Sequence, residues 1–160
     1  SYQNWSDYSP IIRYAEVILN RAEAEARLNG ITSHGVDLLN AIRNRAISGS
    51  MTPYSTGSFG TGNDLVQAIL NERRIELLAE GHRWSDIHRN ALDPNFSTGG
   101  IPAKMNASDV TTLAAYNVGT PPVTFGVAFI PYDDHRFLWP IPASETSRNP
   151  TLDAQQNPGY

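Results

Sequence analysis

Nine of the eleven prolines fall after Asp93, whereas nine of the twelve basic residues fall before it. Proline has no backbone N–H and clashes with the preceding helical turn, so long helices are confined to the front of the chain. The back is left to turns, edge strands and ordered coil. The expected fold class is mainly α: antiparallel helix pairs over residues 1–92, then a loop-rich, mostly irregular wrap over 93–160, together one domain.

The front carries the periodicity that such helices need. In Ile11–Gly30, the residues Ile11, Tyr14, Ala15, Ile18, Ala22, Ala26 and Leu28 or Asn29 recur at three- and four-residue intervals, the signature of one helical face. Pro10 suits a first turn and Gly30 a C-terminal cap. Ala22, Ala24 and Ala26 leave little side chain, so a second helix can approach closely. That helix is predicted from a capping Ser33 to Ile47 through Val36, Leu39, Ile42 and Ala46, and the short link makes an antiparallel αα-hairpin. Residues 48–62 have no period and read as a loop. A third helix is predicted from an Asn63 or Asp64 cap through Leu65, Ile69 and Glu76 to a break at Gly81, and a shorter fourth through Trp84, Ile87 and His88. In the back half, Val123–Ile130 reads as extended, Pro140 and Pro142 exclude a central strand, and the segment is expected to have no core of its own.

Composition removes several function classes. There is no cysteine, hence no disulfide scaffold, thiolate metal site or cysteine nucleophile. A net charge of −4 argues against a phosphate-neutralising surface, and so against nucleic acid. No run approaches the roughly 18 apolar residues of a membrane helix. Eleven of the twelve cations are Arg, the cation best suited to partly buried, forked pairing with carboxylates.

The catalytic candidates are few. Glu72, Glu76 and Glu80 stand at four-residue spacing, within reach of a glycosidase pair. Arg73, Arg74 and Arg83 lie at compatible spacings and favour a structural Glu–Arg ladder instead. His82 and His88 are six apart, on unlike helical faces, and so do not form a metal pair. Asp133-Asp134-His135 reads as a turn rather than a ligand set. The glycines of residues 57–62 lack a following lysine and a preceding strand, so no phosphate cradle is expected, and no nucleophile elbow is present. Neither catalysis nor a cofactor is predicted. Tyr54, Phe59, Tyr116 and Tyr132 lie in loops, where an exposed ring can stack on a sugar; they are the ligand candidates. Trp84 and Trp139 are expected to pack in cores.

Three blocks carry a family resemblance. Residues 13–24 (RYAEVILNRAEA) resemble the "RYAEVLLNYAEA" helix of the SusD/RagB family. Residues 69–77 (ILNERRIEL) and 80–87 (EGHRWSDI) resemble its "NERRIEL…EGHRWFDL" block. Leu138-Trp139-Pro140-Ile141-Pro142 and the ending Gln156-Asn157-Pro158-Gly159-Tyr160 resemble its C-terminal signature. The blocks occur in the family's order and span Arg13 to Tyr160.

The resemblance implies a surface-exposed outer-membrane lipoprotein of Bacteroidetes. Such proteins capture glycans, or sometimes peptides, without catalysis and pass them to a SusC-like TonB-dependent transporter. It also implies a largely helical fold with tetratricopeptide-like pairs. This chain is far shorter than a full member and lacks the lipidated cysteine, so it is expected to be the C-terminal portion, soluble in itself, with any lipid anchor outside it. No sugar-contacting residue transfers by motif. Glu72, Arg73, Arg74, Glu76 and Arg83 are expected to fix helix pairs to one another and to the wrap around Trp139. The alternative is a helical-repeat protein-interaction scaffold with no sugar contact.

Overall fold

The computed structural model describes residues 11–47, 52–106 and 125–160. They fall into two compact units that divide after Trp84.

The first unit is built on three helices. α1 (Tyr14–Asn29) starts after the extended Arg13 and stops at Gly30, whose φ of +71° is a left-handed stop that glycine adopts freely. α2 (Ser33–Ala46) follows after a three-residue link, which folds the two helices into an antiparallel pair. α3 (Gly62–Glu76) is the third, and α1 packs against both α2 and α3. The inward faces are Ala15, Leu19, Ala22, Glu23 and Ala26 on α1, Gly35, Val36, Leu39 and Ile42 on α2, and Leu65, Val66, Ile69, Glu72 and Arg73 on α3. Leu19, Leu39, Leu65 and Ile69 are completely buried, each contributing about 1.5–3 kcal/mol over an exposed position.

Several local expectations are corrected. α1 begins at Tyr14, not Ile11, and Pro10 lies outside the described residues. The buried α1 row is 15, 19, 22 and 26. Because each residue turns the helix by about 100°, Tyr14 and Leu28 rotate off that row and are exposed. Thr32, not Ser33, caps α2: its hydroxyl accepts the Gly35 N–H at 3.0 Å. Thr61, not Asn63 or Asp64, caps α3. Asp64 instead closes a reciprocal box, taking the Thr61 N–H at 2.7 Å while its own N–H donates to the Thr61 hydroxyl at 3.2 Å. α3 ends at Glu76, because Ala79 and Gly81 both take positive φ; residues 77–79 form a turn in which Leu77 is buried and Leu78 exposed.

Charged side chains tie the helix ends. Glu76 accepts from Arg13, just before α1, and from Arg45 at the end of α2; Arg13 also donates to Glu80 at 2.8 Å. Burial alone would raise the Glu76 carboxyl, but the hydrogen bonds from Arg45 and Arg13 outweigh it and hold the group below its ordinary value. Arg73 is buried and donates to the Asn20 side chain on α1.

The second unit is made of short elements. α4 (His82–Arg89) straddles the division between units. Beyond it, β1 (Gly100–Ile101) pairs antiparallel with β4 (Ile130–Pro131), and β2 (Lys104–Met105) with β3 (Phe125–Val127), the second ladder shifting register. Gly100 is required here: at φ +150° a Cβ would stand 2.1 Å from the Ile130 carbonyl oxygen. Within the expected extended segment, residues 123–124 lie outside the described residues. After a 3-10 turn (His135–Phe137) come α5 (Ala143–Thr146) and α6 (Pro150–Asp153). Pro140 and Pro142 lie in the irregular link before α5, as their missing donors dictate. Phe137 is the one buried large apolar residue among the described residues beyond Asp93, and its ring stacks on His88 of α4 at 4.1 Å, beside the buried Ile87 of the same helix.

Candidate functional site

A cleft of about 350 Å³ opens between α2 and α3 in the first unit. It is lined by Arg43 of α2, Tyr54 of the following loop, and Asp64, Gln67, Ala68, Asn71, Glu72 and Ile75 of α3. The volume is at the low end of small-ligand sites, which run from ~300 to 1,000 Å³.

Local chemistry places each wall. The loop before α3 is aperiodic, yet Tyr54 is held like a strand partner. Its N–H donates to Asn40 Oδ1 at 3.0 Å, and its carbonyl accepts from Asn40 Nδ2 at 2.8 Å. One amide side chain thus satisfies both backbone groups of Tyr54. The Arg43 guanidinium carbon stands 4.6 Å from the centre of the Tyr54 ring, and Phe59 lies 5.2 Å from it, tilted by 48°. On α3, Gln67 donates to Asn71 at 3.1 Å across one turn.

The polar pair on the inner wall is under-satisfied. Arg43 Nη1 and Glu72 Oε2 are 3.8 Å apart, an ion pair but not a hydrogen bond. The Glu72 side chain is only 9% exposed, and Arg43 Nε is buried with no hydrogen-bond partner among the described residues. Burial pushes the Glu72 carboxyl above its ordinary value, the Arg43 charge opposes this, and Glu76 adds to it. Neighbouring Glu76 is not part of the wall, and Arg13 and Arg45 hold it as a carboxylate. The two acids therefore do not bracket a common cavity.

Of the four loop aromatics, Tyr54 lines the cleft and Phe59 supports it. Tyr132, half exposed, follows β4 in the second unit, and Tyr116 lies outside the described residues. Among the residues assigned to helix fixing, Glu72 and Arg73 are buried, Glu76 is half-buried, and Arg74 and Arg83 are exposed. The core-packing expectation for the tryptophans is corrected: Trp84 is 37% and Trp139 72% exposed, because the former sits on a short straddling helix and the latter precedes Pro140 in an irregular link. Trp139 is positioned through its backbone, where its carbonyl accepts from Asn157 Nδ2 at 2.6 Å.

Sequence reasoning missed Arg43, Asp64, Gln67 and Asn71. A signal existed: residues 64, 67, 68, 71, 72 and 75 step by three and four and define the second face of α3, beside the one that the apolar residues mark. Among the described residues no group of three or more His, Asp or Glu is arranged to hold a metal ion, and no helix is long and apolar enough to cross a membrane.

Comparison with known proteins places the chain. The SusD family model matches residues 1–160. SusD-like protein P2 of Formosa agariphila is 33% identical over 159 residues, covering 97% of this chain and 26% of that protein. SusD-like protein P38 of the same organism is 38% identical over 82 residues, covering 49% of this chain and 16% of that protein. A solved structure described as selenomethionine BT4246 shares 26% identity at a TM-score of 0.58, covering 97% of this chain and 25% of that one. The chain therefore spans about a quarter or less of each of these proteins.

Proposed function

Because the chain belongs to the SusD family, we propose that it works as part of a non-enzymatic, outer-membrane glycan-capture protein. In this reading it supplies the C-terminal portion, a lipid anchor lies outside it, and the captured ligand passes to a SusC-like TonB-dependent transporter. The observation that carries the reading is the family match over the whole of residues 1–160, supported by a relative whose likeness covers 97% of this chain. The geometry is in keeping with capture rather than turnover. Glu76, one half of the conceivable acid pair, is locked as a carboxylate by two arginines, away from the cleft that Glu72 lines.

The test is calorimetry of the full-length protein containing this chain, with soluble oligosaccharides. Saturable heat without release of reducing sugar is the expected result. Absence of binding across plant, algal and host glycans, or hydrolysis abolished by Glu76→Gln, overturns it.

A second reading, a protein-docking scaffold without sugar contact, draws on the exposed α1 row Tyr14, Val17 and Leu28. Its mark would be association with the transporter that Tyr14→Glu and Leu28→Glu abolish, while no oligosaccharide touches residues 11–160.

A further inference from the structure

The α2–α3 cleft contains buried polarity that the protein itself leaves unanswered. The Arg43 side chain makes no hydrogen bond among the described residues: its Nε–H is buried without an acceptor, and its nearest carboxylate oxygen is 3.8 Å away. Glu72, with a side chain 9% exposed, likewise receives no hydrogen bond there. Leaving such groups unpaired is costly, the more so when they are charged. Both side chains line an open cleft and keep some exposure there, 18% for Arg43 and 9% for Glu72, so a ligand can reach the guanidinium and the carboxylate.

The chemistry of the wall restricts that ligand. An anion would satisfy Arg43 but meet Glu72 and Asp64. A cation would satisfy Glu72 but leave the Arg43 Nε–H without an acceptor and face the guanidinium charge. A neutral ligand must present an acceptor and a donor side by side, because Arg43 Nη1 and Glu72 Oε2 are only 3.8 Å apart. A trans peptide amide places its N–H and C=O on opposite edges. Neighbouring hydroxyls of a ring place a donor and an acceptor on the same edge, and each hydroxyl serves in either sense. Gln67 and Asn71 add amide donors and acceptors at the rim, and the exposed Ile75 offers an apolar surface to ring C–H groups.

We propose that this cleft binds one neutral sugar ring through a pair of adjacent hydroxyls, one accepting from Arg43 and the other donating to Glu72. The Tyr54 ring is the positioning group: it stacks on the Arg43 guanidinium and is itself pinned by Asn40, so it orders the arginine instead of serving as the sugar platform. The proposal rests on the glycan-capture reading and narrows it to a site and to neutral rather than acidic or amino sugars.

The test is an NMR titration of the 160-residue chain with the methyl glycosides of glucose, mannose and galactose, with glucuronate, glucosamine and N-methylacetamide, a trans amide, as comparators. At least one neutral glycoside should move the Arg43 Nε–H and the Gln67 and Asn71 side-chain amides in a saturable way. Glucuronate, glucosamine and N-methylacetamide should bind about tenfold or more weakly. Arg43→Met should weaken the neutral glycoside by about tenfold or more, the value of one charge-assisted hydrogen bond. Gln67→Ala, at an exposed position, should weaken it several-fold with unchanged melting, which separates lost binding from lost folding. The proposal is overturned by silence at the cleft with every neutral glycoside, by equal binding of glucuronate or N-methylacetamide, or by neutral binding that survives both variants. If the full-length protein captures glycan equally well with Arg43→Met, the cleft fails while the capture reading stands. If it captures none, but the variant-sensitive shifts persist, the capture reading fails and the cleft stands.

Discussion

The two units are held together by different means. In the first, four large, completely buried aliphatic side chains from three helices meet, and charged residues close the ends. In the second, few apolar groups are buried, and side chains grip the backbone directly. Gln156 takes the Ile141 N–H at 2.8 Å and donates back to its carbonyl at 3.0 Å; Asn157 bonds the Trp139 carbonyl; Tyr160 Oη donates to the Leu138 carbonyl at 2.9 Å; and His88 Nε2 stands 2.7 Å from the Phe137 carbonyl. A helix satisfies its own backbone, which frees its side chains to pack. An irregular segment cannot, so its polar side chains must do so, and fewer remain for a core.

This contrast is open to attack at four points. The largest loss should come from Leu19→Ala, which empties a fully buried position against α2 and α3. Urea unfolding should show about 3 kcal/mol of destabilisation; a loss near zero would mean that the first unit does not depend on aliphatic packing. Next is Glu76→Gln, which weakens the hold of α3 on Arg13 and Arg45 and should cost about 2 kcal/mol at pH 7, moderated because the arginines are partly exposed. The Glu76 carboxyl is lowered on folding. Its stabilisation is therefore complete above the ordinary value of 4.5 and is lost as pH falls through the lower folded value. The gap between wild type and variant should accordingly close on acidification below 4.5, and a gap that widens instead would refute the pairing.

In the second unit, Gln156→Ala removes both bonds to Ile141 and should cost about 1.5 kcal/mol. Hydrogen exchange should report it as faster exchange of the Ile141 amide; unchanged protection there would deny the clamp. The smallest effect, about 1 kcal/mol, belongs to Thr61→Ala, which strips the α3 cap. Thr61→Ser should restore the melting temperature, because it keeps the oxygen that accepts from Asp64.

Much of the first unit was legible in advance. The three long helices, the short α1–α2 link and the inward Ala15, Ala22, Ala26, Leu39, Leu65 and Ile69 follow from spacing, because burial imposes a 3.6-residue period on any helix with one wet face, although the α1 row so read takes in Tyr14 and Leu28 and passes over Leu19. Helix starts were misread by one to three residues. Ser33, Asn63 and Asp64 are as good cap types as Thr32 and Thr61, and only the backbone turn that forms decides between them. The site was half legible. Tyr54 and Phe59 were found because loop aromatics stand out, whereas Gln67 and Asn71 resemble any polar helical surface until a second helix and a loop rise beside them to make a cleft.

By itself the sequence determined that the front of the chain is helical, that Val36, Leu39, Ile42, Leu65 and Ile69 face inward, that the proline-rich back is irregular, and which family signature the chain carries. These are properties of neighbours in sequence, fixed by backbone sterics and by periodic burial. Only the tertiary structure decided that Arg13 and Arg45 meet at Glu76, that Asn40 pins Tyr54, and that Arg43 and Glu72 face one cleft with their hydrogen bonding incomplete. Those pairs lie 14 to 63 positions apart. At such separations local propensity has no influence, and the packing of α1, α2 and α3 sets which polar groups end up within reach of one another.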